Sequence, residues 1–337
     1  MRLKLQCVFV VLLPLMLLVG CATDKQIISQ AANVHGSLKP AVMQDPELAN
    51  YIQEVGDRVI EQAARLSAQG KGPKKHFEGD NKWMFSDRMQ FHFVNSKTLN
   101  AFTTGGEHMY IYTALFQQCT SEDELAAVVA HEYAHVYGRH VQKGTDRQYG
   151  LLIGGAAVGA AAGYALGGDD NRWTGAGIGA GLGAAGGQFL NMGFTREDEY
   201  EADKYGFRFY CRAGWDPEKF GDFFQKMIDN GYDKTPEIVS SHPSLKNRVK
   251  QAKEWAAELP PEAADWRRPP VASPKRFREL QERAARLGKD APSDRSLENS
   301  QKLLQALPRS CVSPIEQFED QKQAQEDLAK SAQSKQK

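Results

Sequence analysis

The chain has 337 residues, and its 42 lysines and arginines balance its 42 aspartates and glutamates, so the formal net charge is zero. This length allows one large domain with appendages or two small domains. The balanced charge gives no support to a nucleic-acid partner, and we expect none.

Residues 1–20 are predicted to be a signal peptide. Two basic residues precede an apolar run at 8–19 that is too short for an ordinary membrane span. The run leads into Leu-Val-Gly-Cys, which resembles the lipobox of bacterial lipoproteins, with Cys21 as the lipidated residue. An ordinary signal peptide with an incidental cysteine is the alternative. Because Ala22 rather than aspartate follows, the resemblance implies a periplasmic protein anchored by lipid in the inner leaflet of the outer membrane.

The next segments alternate between helix and strand patterns. Residues 21–44 are predicted to be a tether, and residues 45–68 an amphipathic helix because their apolar residues recur at helical spacing. Residues 89–94 alternate as in a strand, and residues 107–112 are predicted to be a second strand after the pair Gly105–Gly106. A short helix is predicted at 114–118, so the small sheet is followed by this helix and then by a longer one.

That helix is predicted to cover residues 121–140. Ser121 is a favourable N-cap, and Glu124 is expected to complete a capping box with it. Acidic residues fill the first turn, and Arg139 and His140 the last, as the helix dipole favours.

The same helix carries the motif His-Glu-Tyr-Ala-His. His131 and His135 are one turn apart on one face, so both imidazoles can bind one metal ion. Glu132 is rotated by about 100° and can reach a metal-bound water without binding the ion. A chance match is the alternative, but the apolar residues 125–130 indicate a buried helix, where three adjacent ionisable groups are costly. The pattern therefore predicts a zinc site.

Residues 151–190 are the compositional outlier, because glycine recurs at every fourth position in two uncharged halves. These glycines are Gly155, Gly159, Gly163, Gly167, Gly175, Gly179, Gly183 and Gly187. Such spacing lets helices approach closely, and we expect a glycine-zipper helical hairpin that touches membrane or protein. A flexible loop is the alternative, because glycine costs about 1 kcal/mol per residue in a helix.

A catalytic zinc site needs a third protein ligand. One class of zincin has a histidine at the position occupied here by Val141. His140 is one residue short and lies about 140° around an ideal helix from His135, so we exclude it as a ligand.

The helix predicted at 195–206 is dense in carboxylates. Glu199 and Asp203 lie one turn apart, so one can bind zinc while the other accepts the free N–H of a zinc-bound histidine. Glu197 with Glu201 is a competing register without a matching aspartate. A charged surface helix is the remaining alternative.

Three cysteines remain outside the signal peptide and the lipobox, namely Cys119, Cys211 and Cys311. In an oxidising compartment this odd number allows at most one internal disulfide, and the sequence does not choose the pair. The C-terminal residues 256–337 contain proline-rich punctuation and a polar tail. They are predicted to be a helical or partly disordered extension.

Four motifs occur in one order: the lipobox, HEYAH at 131–135, TREDEYEADKYG at 195–206 and SHPSLKNR at 241–248. They resemble the zinc metallopeptidases of the HtpX, Oma and CAAX-prenyl-protease family, and among these the periplasmic quality-control peptidases of the BepA and LoiP type. The resemblance covers about residues 45–255, which would be the zinc metallopeptidase domain. We expect an α+β, mostly α fold, a zincin of the gluzincin type with a small sheet beside the HExxH helix and a glycine-rich hairpin insertion.

The resemblance implies one Zn²⁺ ion per chain, bound by His131, His135 and Glu199. Glu132 would be the general base, and Asp203 would accept a hydrogen bond from a zinc-bound histidine.

Two further groups of residues follow from the resemblance. His242 would approach the zinc from a loop, fill its open position in a resting state and support the oxyanion once the loop moves; Arg248 matches an arginine that follows this histidine. The strand that would bind substrate comprises Asn100, Ala101, Phe102, Gly105 and Gly106.

The expected function is a zinc-dependent endopeptidase that cleaves misfolded or stalled cell-envelope proteins by attack of metal-activated water. Its membrane contacts would be the lipid anchor and the glycine hairpin. One alternative is a chaperone or assembly factor for outer-membrane proteins with latent or little proteolysis. The other is a structural lipoprotein whose metal is incidental. Residues 256–337 do not resemble the tetratricopeptide repeats of BepA-type proteins, so partner recognition through such repeats is not expected.

Overall fold

The computed structural model describes residues 24–70, 82–147, 194–232, 244–291, 294–308 and 317–334. The α-helices with both ends inside these ranges are Asp24–Leu38 (α1), Pro46–Ala68 (α2), Thr113–Gln118 (α3), Glu122–Tyr137 (α4), Arg196–Ala213 (α5), Asp222–Asp229 (α6), Leu245–Ala257 (α7), Pro274–Asp290 (α8), Arg295–Ala306 (α9) and Gln317–Ser334 (α10). The strands are Gln90–Val94 (β1), Ala101–Thr103 (β2) and His108–Tyr112 (β3). The predicted α+β, mostly α fold is confirmed, and the predicted hairpin at 151–190 lies outside the described residues.

The three strands form one sheet in the order β1-β3-β2, with β1 parallel and β2 antiparallel to β3. Side chains alternate between the two faces of a strand. Phe91 and Phe93 therefore point into the main core, a large apolar cluster shared with α2, α4 and α5. Val94, Tyr110 and Tyr112 point to the opposite face and belong to a second cluster.

Helix α2 begins where its sequence predicts. The Asp45 carboxylate accepts a hydrogen bond from the Leu48 backbone N–H at 3.1 Å, and Pro46 occupies the first turn. Gly56 lets the helix lie against the sheet, because a Cβ there would come within 2.2 Å of the Phe91 ring.

Helix α1 differs from the tether predicted at 21–44. Ile27, Ala31, Val34 and Leu38 recur at helical spacing and are buried. Their apolar face packs on the second cluster and ties the N-terminal segment to the sheet. The helical pattern of apolar residues is weak in this part of the sequence, because polar residues fill the other face of α1.

The C-terminal helices pack on both apolar clusters. Phe277, Leu280 and Ala284 of α8 are buried in the main core, whereas Leu303 and Leu304 of α9 complete the second cluster. The residues predicted to form an extension are therefore mostly helical in their described parts and continuous with the packing of the domain.

Two of the cysteines, Cys119 and Cys211, are buried free thiols, and Cys311 lies outside the described residues. Burial raises the pKa of both thiols, so they remain protonated at neutral pH. Among the described helices, none combines the length and the hydropathy that a membrane span requires.

Candidate metal centre

Helix α4 is anchored at its first turn by a buried carboxylate. Glu122 accepts hydrogen bonds from Tyr51 Oη at 3.3 Å and Trp215 Nε1 at 3.0 Å. It also accepts from the backbone N–H groups of Val271 and Ala272, both at 2.7 Å. Segments distant in sequence thus converge on one side chain, which holds the helix in place.

The N-cap of α4 differs in one detail from the prediction. Ser121 Oγ accepts from the Glu124 backbone N–H at 3.3 Å, as expected. The Glu124 carboxylate, however, accepts from the backbone N–H of Thr120 at 2.7 Å and from its hydroxyl at 2.8 Å. The Glu124 carboxylate also accepts from Lys226 Nζ. The predicted capping box with Ser121 is therefore wrong, since this carboxylate bonds to Thr120 and Lys226 instead of the Ser121 backbone N–H.

Helix α4 ends three residues earlier than predicted. Gly138 is its C-cap, Arg139 has a φ of 58°, and residues 140–147 form a separate helical segment. The Arg139 guanidinium is buried and donates to both oxygens of Asp24 on α1, at 2.7 and 2.8 Å. This contact holds the left-handed residue that redirects the chain.

The break moves His140 back towards the motif. Its Nδ1 lies 2.8 Å from His135 Nδ1, and its Nε2 lies 3.0 Å from Glu201 Oε2. A Cβ at Gly138 would come within 2.4 Å of His140 Nε2, so glycine makes this approach possible. His135 and His140 would be separated by about 140° on an unbroken helix, but the helix break removes that separation.

Three potential ligands meet between α4 and α5. His131 Nε2 and His135 Nε2 lie 3.1 Å apart, and the Glu199 carboxylate lies 3.5 Å from the first and 4.0 Å from the second. All three side chains are buried. The helices can approach because a Cβ at Gly206 would lie only 3.0 Å from the His131 backbone.

The other nitrogen of His131 faces a buried ion pair. His131 Nδ1 lies 2.9 Å from Asp203 Oδ1, and Arg248 Nε donates to Asp203 Oδ2 at 2.7 Å. Because the carboxylate only accepts, its contact with His131 fixes the proton on Nδ1 and leaves the Nε2 lone pair directed at Glu199 and His135. Burial alone would raise the pKa of Asp203, but Arg248 and His131 outweigh it and hold the pKa below its ordinary value.

A second supporting group surrounds His135. Burial lowers the pKa of His135 well below its ordinary value, so this imidazole is neutral. Its ring stacks on Phe194 at 3.9 Å between centroids. Burial would raise the pKa of Glu201, yet hydrogen bonds from His140 and Lys143 lower it to about 2. Glu201, from the competing register, therefore faces His140, and Glu199 is the glutamate beside His131 and His135.

The residues of the predicted substrate strand lie at the sheet edge. Ala101 and Phe102 belong to β2, the outer strand beside β3, and Asn100 donates to the backbone oxygen of Pro308 at 3.1 Å. All three side chains are buried. Any contact of this strand with a peptide would therefore involve main-chain atoms.

The two glycines that follow serve close packing. Gly105 has a φ of 70°, and a Cβ there would come within 2.4 Å of Val141. At Gly106 a Cβ would come within 2.5 Å of Ala31 on α1. The sequence pattern gives no sign of this second contact.

Glu132, the predicted general base, is buried within α4. Arg248 is placed by its contacts with Asp203 and with Phe224, whose ring centroid lies 3.8 Å from the guanidinium carbon. His242 and Cys21 lie outside the described residues. The supporting roles of His140, Glu201 and Glu122 were not foreseen, although Gly138 is a signal for an earlier helix end.

The donor set at this centre fits a metal ion. The ligand atoms of His131, His135 and Glu199 lie within 4.8 Å of one another. Two imidazoles and one glutamate are a set found in catalytic zinc sites, in which a fourth position stays open.

Comparison with known proteins agrees with this geometry. The profile of peptidase family M48 matches residues 48–256. The chain is 31% identical over 229 residues to the beta-barrel assembly-enhancing protease of Yersinia pestis, covering 64% of this chain and 40% of that protein. The corresponding values for the Escherichia coli K12 protein of that name are 29%, 226 residues, 65% and 41%. The mitochondrial metalloendopeptidase OMA1 of Schizosaccharomyces pombe is 28% identical over 185 residues, covering 53% of this chain and 48% of that protein.

The chain thus spans about two fifths of the length of the bacterial relatives it matches. The matched segment contains the whole candidate metal centre. From the profile match and the relatives together, the chain belongs to peptidase family M48.

Proposed function

We propose that the protein is a zinc-dependent endopeptidase. The observation that carries the proposal is the convergence of His131 Nε2, His135 Nε2 and Glu199 at 3.1 to 4.0 Å inside a buried site. One Zn²⁺ per chain would be bound by these three side chains. Zinc in such a site polarises a carbonyl and makes water more acidic.

Residues of the chain supply the proton transfers. Glu132, beside His131 on α4, would accept a proton from the attacking water and donate it to the leaving amine. Asp203 keeps His131 in the tautomer whose Nε2 is free to bind metal, and His140 holds the far side of His135. The edge strand β2 would hold an extended peptide through main-chain hydrogen bonds.

The proposed substrates are misfolded or stalled proteins of the cell envelope. Two observations support this class: the lipobox ending at Cys21, and relatives named for the assembly of beta-barrels. The protein would be periplasmic and lipid-anchored at the outer membrane, with the glycine-rich segment 151–190 as a second membrane contact. His242 would regulate access to the zinc from its loop.

The experiment compares wild type with Glu132→Gln on an unfolded outer-membrane protein. The substitution removes the base but no ligand, so we expect cleavage to be abolished while one zinc per chain is retained. Glu197→Gln is the matched control, because Glu197 is exposed on α5 and its loss should leave cleavage unchanged. Zinc loss in Glu132→Gln would overturn the assignment of the base. Assembly of the substrate without cleavage by either protein would instead favour an assembly factor.

A further inference from the structure

A second group of histidines lies apart from the metal centre. His92 is on β1, His108 begins β3, and His35 is in the last turn of α1. Their potential ligand atoms lie within 4.8 Å of one another, as do those of the metal centre. All three side chains are partly buried, so solvent can reach the group.

The sheet register explains why these histidines meet. His92 pairs with Tyr110 across the parallel strands, and His108 lies two residues before Tyr110. The three side chains therefore share one face of the sheet, opposite Phe91 and Phe93. Helix α1 packs over that face and adds His35.

The strand pair has a spacing suited to a shared ion. His92 Nε2 and His108 Nδ1 are 3.0 Å apart, close to the 3.1 Å between His131 Nε2 and His135 Nε2. Nitrogen ligands at about 2.1 Å from one ion are about 3.0 to 3.4 Å apart for ligand angles between roughly 90° and 110°. The pair can therefore bind one ion with little movement.

The third histidine is oriented by a buried phenol. His35 Nδ1 lies 3.0 Å from Tyr110 Oη, and its ring stacks on His108 at 3.9 Å between centroids, with 9° between the ring planes. Because an ion lies near the plane of each imidazole that binds it, one of these two rings must turn out of the stack when a shared ion binds. Burial raises the pKa of Tyr110 well above its ordinary value, so the phenol stays neutral and can accept from His35 Nδ1–H. In that tautomer the Nε2 lone pair is available to a metal. Histidine ligands usually have such a hydrogen-bond acceptor on the nitrogen that does not bind the metal.

The protonation state of the group also suits metal binding. Burial lowers the pKa of His92 to about 3 and that of His108 to about 4, while burial and Lys39 lower the pKa of His35. The rings are neutral at pH 7, which is the form that ligates zinc, copper or nickel.

We propose that His35, His92 and His108 bind a second divalent transition-metal ion of the class that prefers imidazole, and that this ion fastens helix α1 to the sheet. Solvent completes the coordination on the partly exposed side. The site is separate from the peptidase centre, because no residue is shared and the elements that carry the three histidines differ from α4 and α5.

The test counts metal ions in the full-length protein, with Zn²⁺ as the probe. After saturation and gel filtration, we expect two zinc ions per wild-type chain and one per chain of His35→Ala, measured by elemental analysis. His35 is only partly buried and alanine favours helix, so this variant should fold. Glu107→Gln is the control, because it neutralises the residue beside His108 and should keep both ions.

Tyr110→Phe gives a graded test, because it keeps three imidazoles and removes only the phenol oxygen. We expect about a tenfold weaker affinity for the second ion and an unchanged first. A single ion in both wild type and His35→Ala, or two ions in both with unchanged affinity, would show that His35 binds no metal and would overturn the proposal. Loss of cleavage in Glu132→Gln has no bearing on these counts, so the two proposals fail separately.

Discussion

Asp203 links the metal centre to the last helix of the matched segment. Its carboxylate faces His131 Nδ1 at 2.9 Å and pairs with the buried Arg248. For Asp203→Asn we expect about 10- to 100-fold weaker zinc affinity, because the acceptor that orients His131 is changed. The free energy of unfolding should also fall by about 3 to 5 kcal/mol, because Arg248 loses a buried partner. Chelator competition and urea unfolding measure the two effects, and a variant with wild-type zinc affinity would contradict the role of Asp203.

At the scale of single residues, helix periodicity explains which neighbours the sequence could predict. His131 and His135 share a face because they are four residues apart, and Glu199 and Asp203 share one for the same reason. His140 escaped prediction because its position depends on a chain reversal at Arg139. That reversal is held by Asp24, more than a hundred residues away in the chain.

At the scale of elements, the end of α4 determines where the supporting group of His135 lies. Gly138 has a φ of −76°, which alanine also adopts, so Gly138→Ala changes only the space next to His140. We expect kcat/KM for peptide cleavage to fall about tenfold as His140 is displaced from His135. Gly36→Ala is the control: nothing lies within 4 Å of its Cβ, and helix α1 should gain about 0.5 to 1 kcal/mol with activity unchanged. Equal activity in both variants would show that His140 is dispensable.

The stability of the protein should fall in acid because of the histidines that lie between α1 and the sheet. In unfolded chains histidine has a pKa of about 6.5, whereas burial holds His92 at a pKa of about 3 and His108 at a pKa of about 4. Between about pH 6.5 and 4 the unfolded chain binds protons that the folded protein does not, so stability falls as pH is lowered.

The measurement is the free energy of unfolding in urea at pH 7, 6 and 5, with chelator present in every sample. His92→Phe should lose less stability over this range than wild type, by at most about 1.4 kcal/mol per pH unit, the maximum for one proton. If the free energy of unfolding depends on pH equally in the two proteins, His92 is protonated equally in the folded and the unfolded state.

At the scale of the whole molecule, the C-terminal helices are part of the main core. Phe277 of α8 is buried, and its ring meets Phe116 edge to face at 5.4 Å between centroids. Phe277→Ala should lower the free energy of unfolding by about 3 to 5 kcal/mol. Leu287→Ala on the same helix is the control, because Leu287 is exposed and should cost much less. Similar small losses for both variants in urea unfolding would indicate that α8 is only loosely attached.

This continuity was hidden in the sequence for a physical reason. The change in composition near residue 256 suggested a boundary, since charged residues cover the outer faces of α8 and α9. Their inner faces, however, bury few but large apolar residues against strands and helices that precede them by more than a hundred positions. Local periodicity predicts such a helix, but it cannot identify the surface that receives it.

The carboxylate of Glu122 also bears on the timing of synthesis. Two of its hydrogen-bond donors, the backbone N–H groups of Val271 and Ala272, follow it by 149 and 150 positions. A nascent chain that has passed the HEYAH motif but has not yet reached residue 271 therefore lacks at least half of the four donors to this buried carboxylate. The helix that carries the two histidines therefore gains the last of these contacts only after α7 has been made, so a shorter chain is poorly prepared to cleave its neighbours.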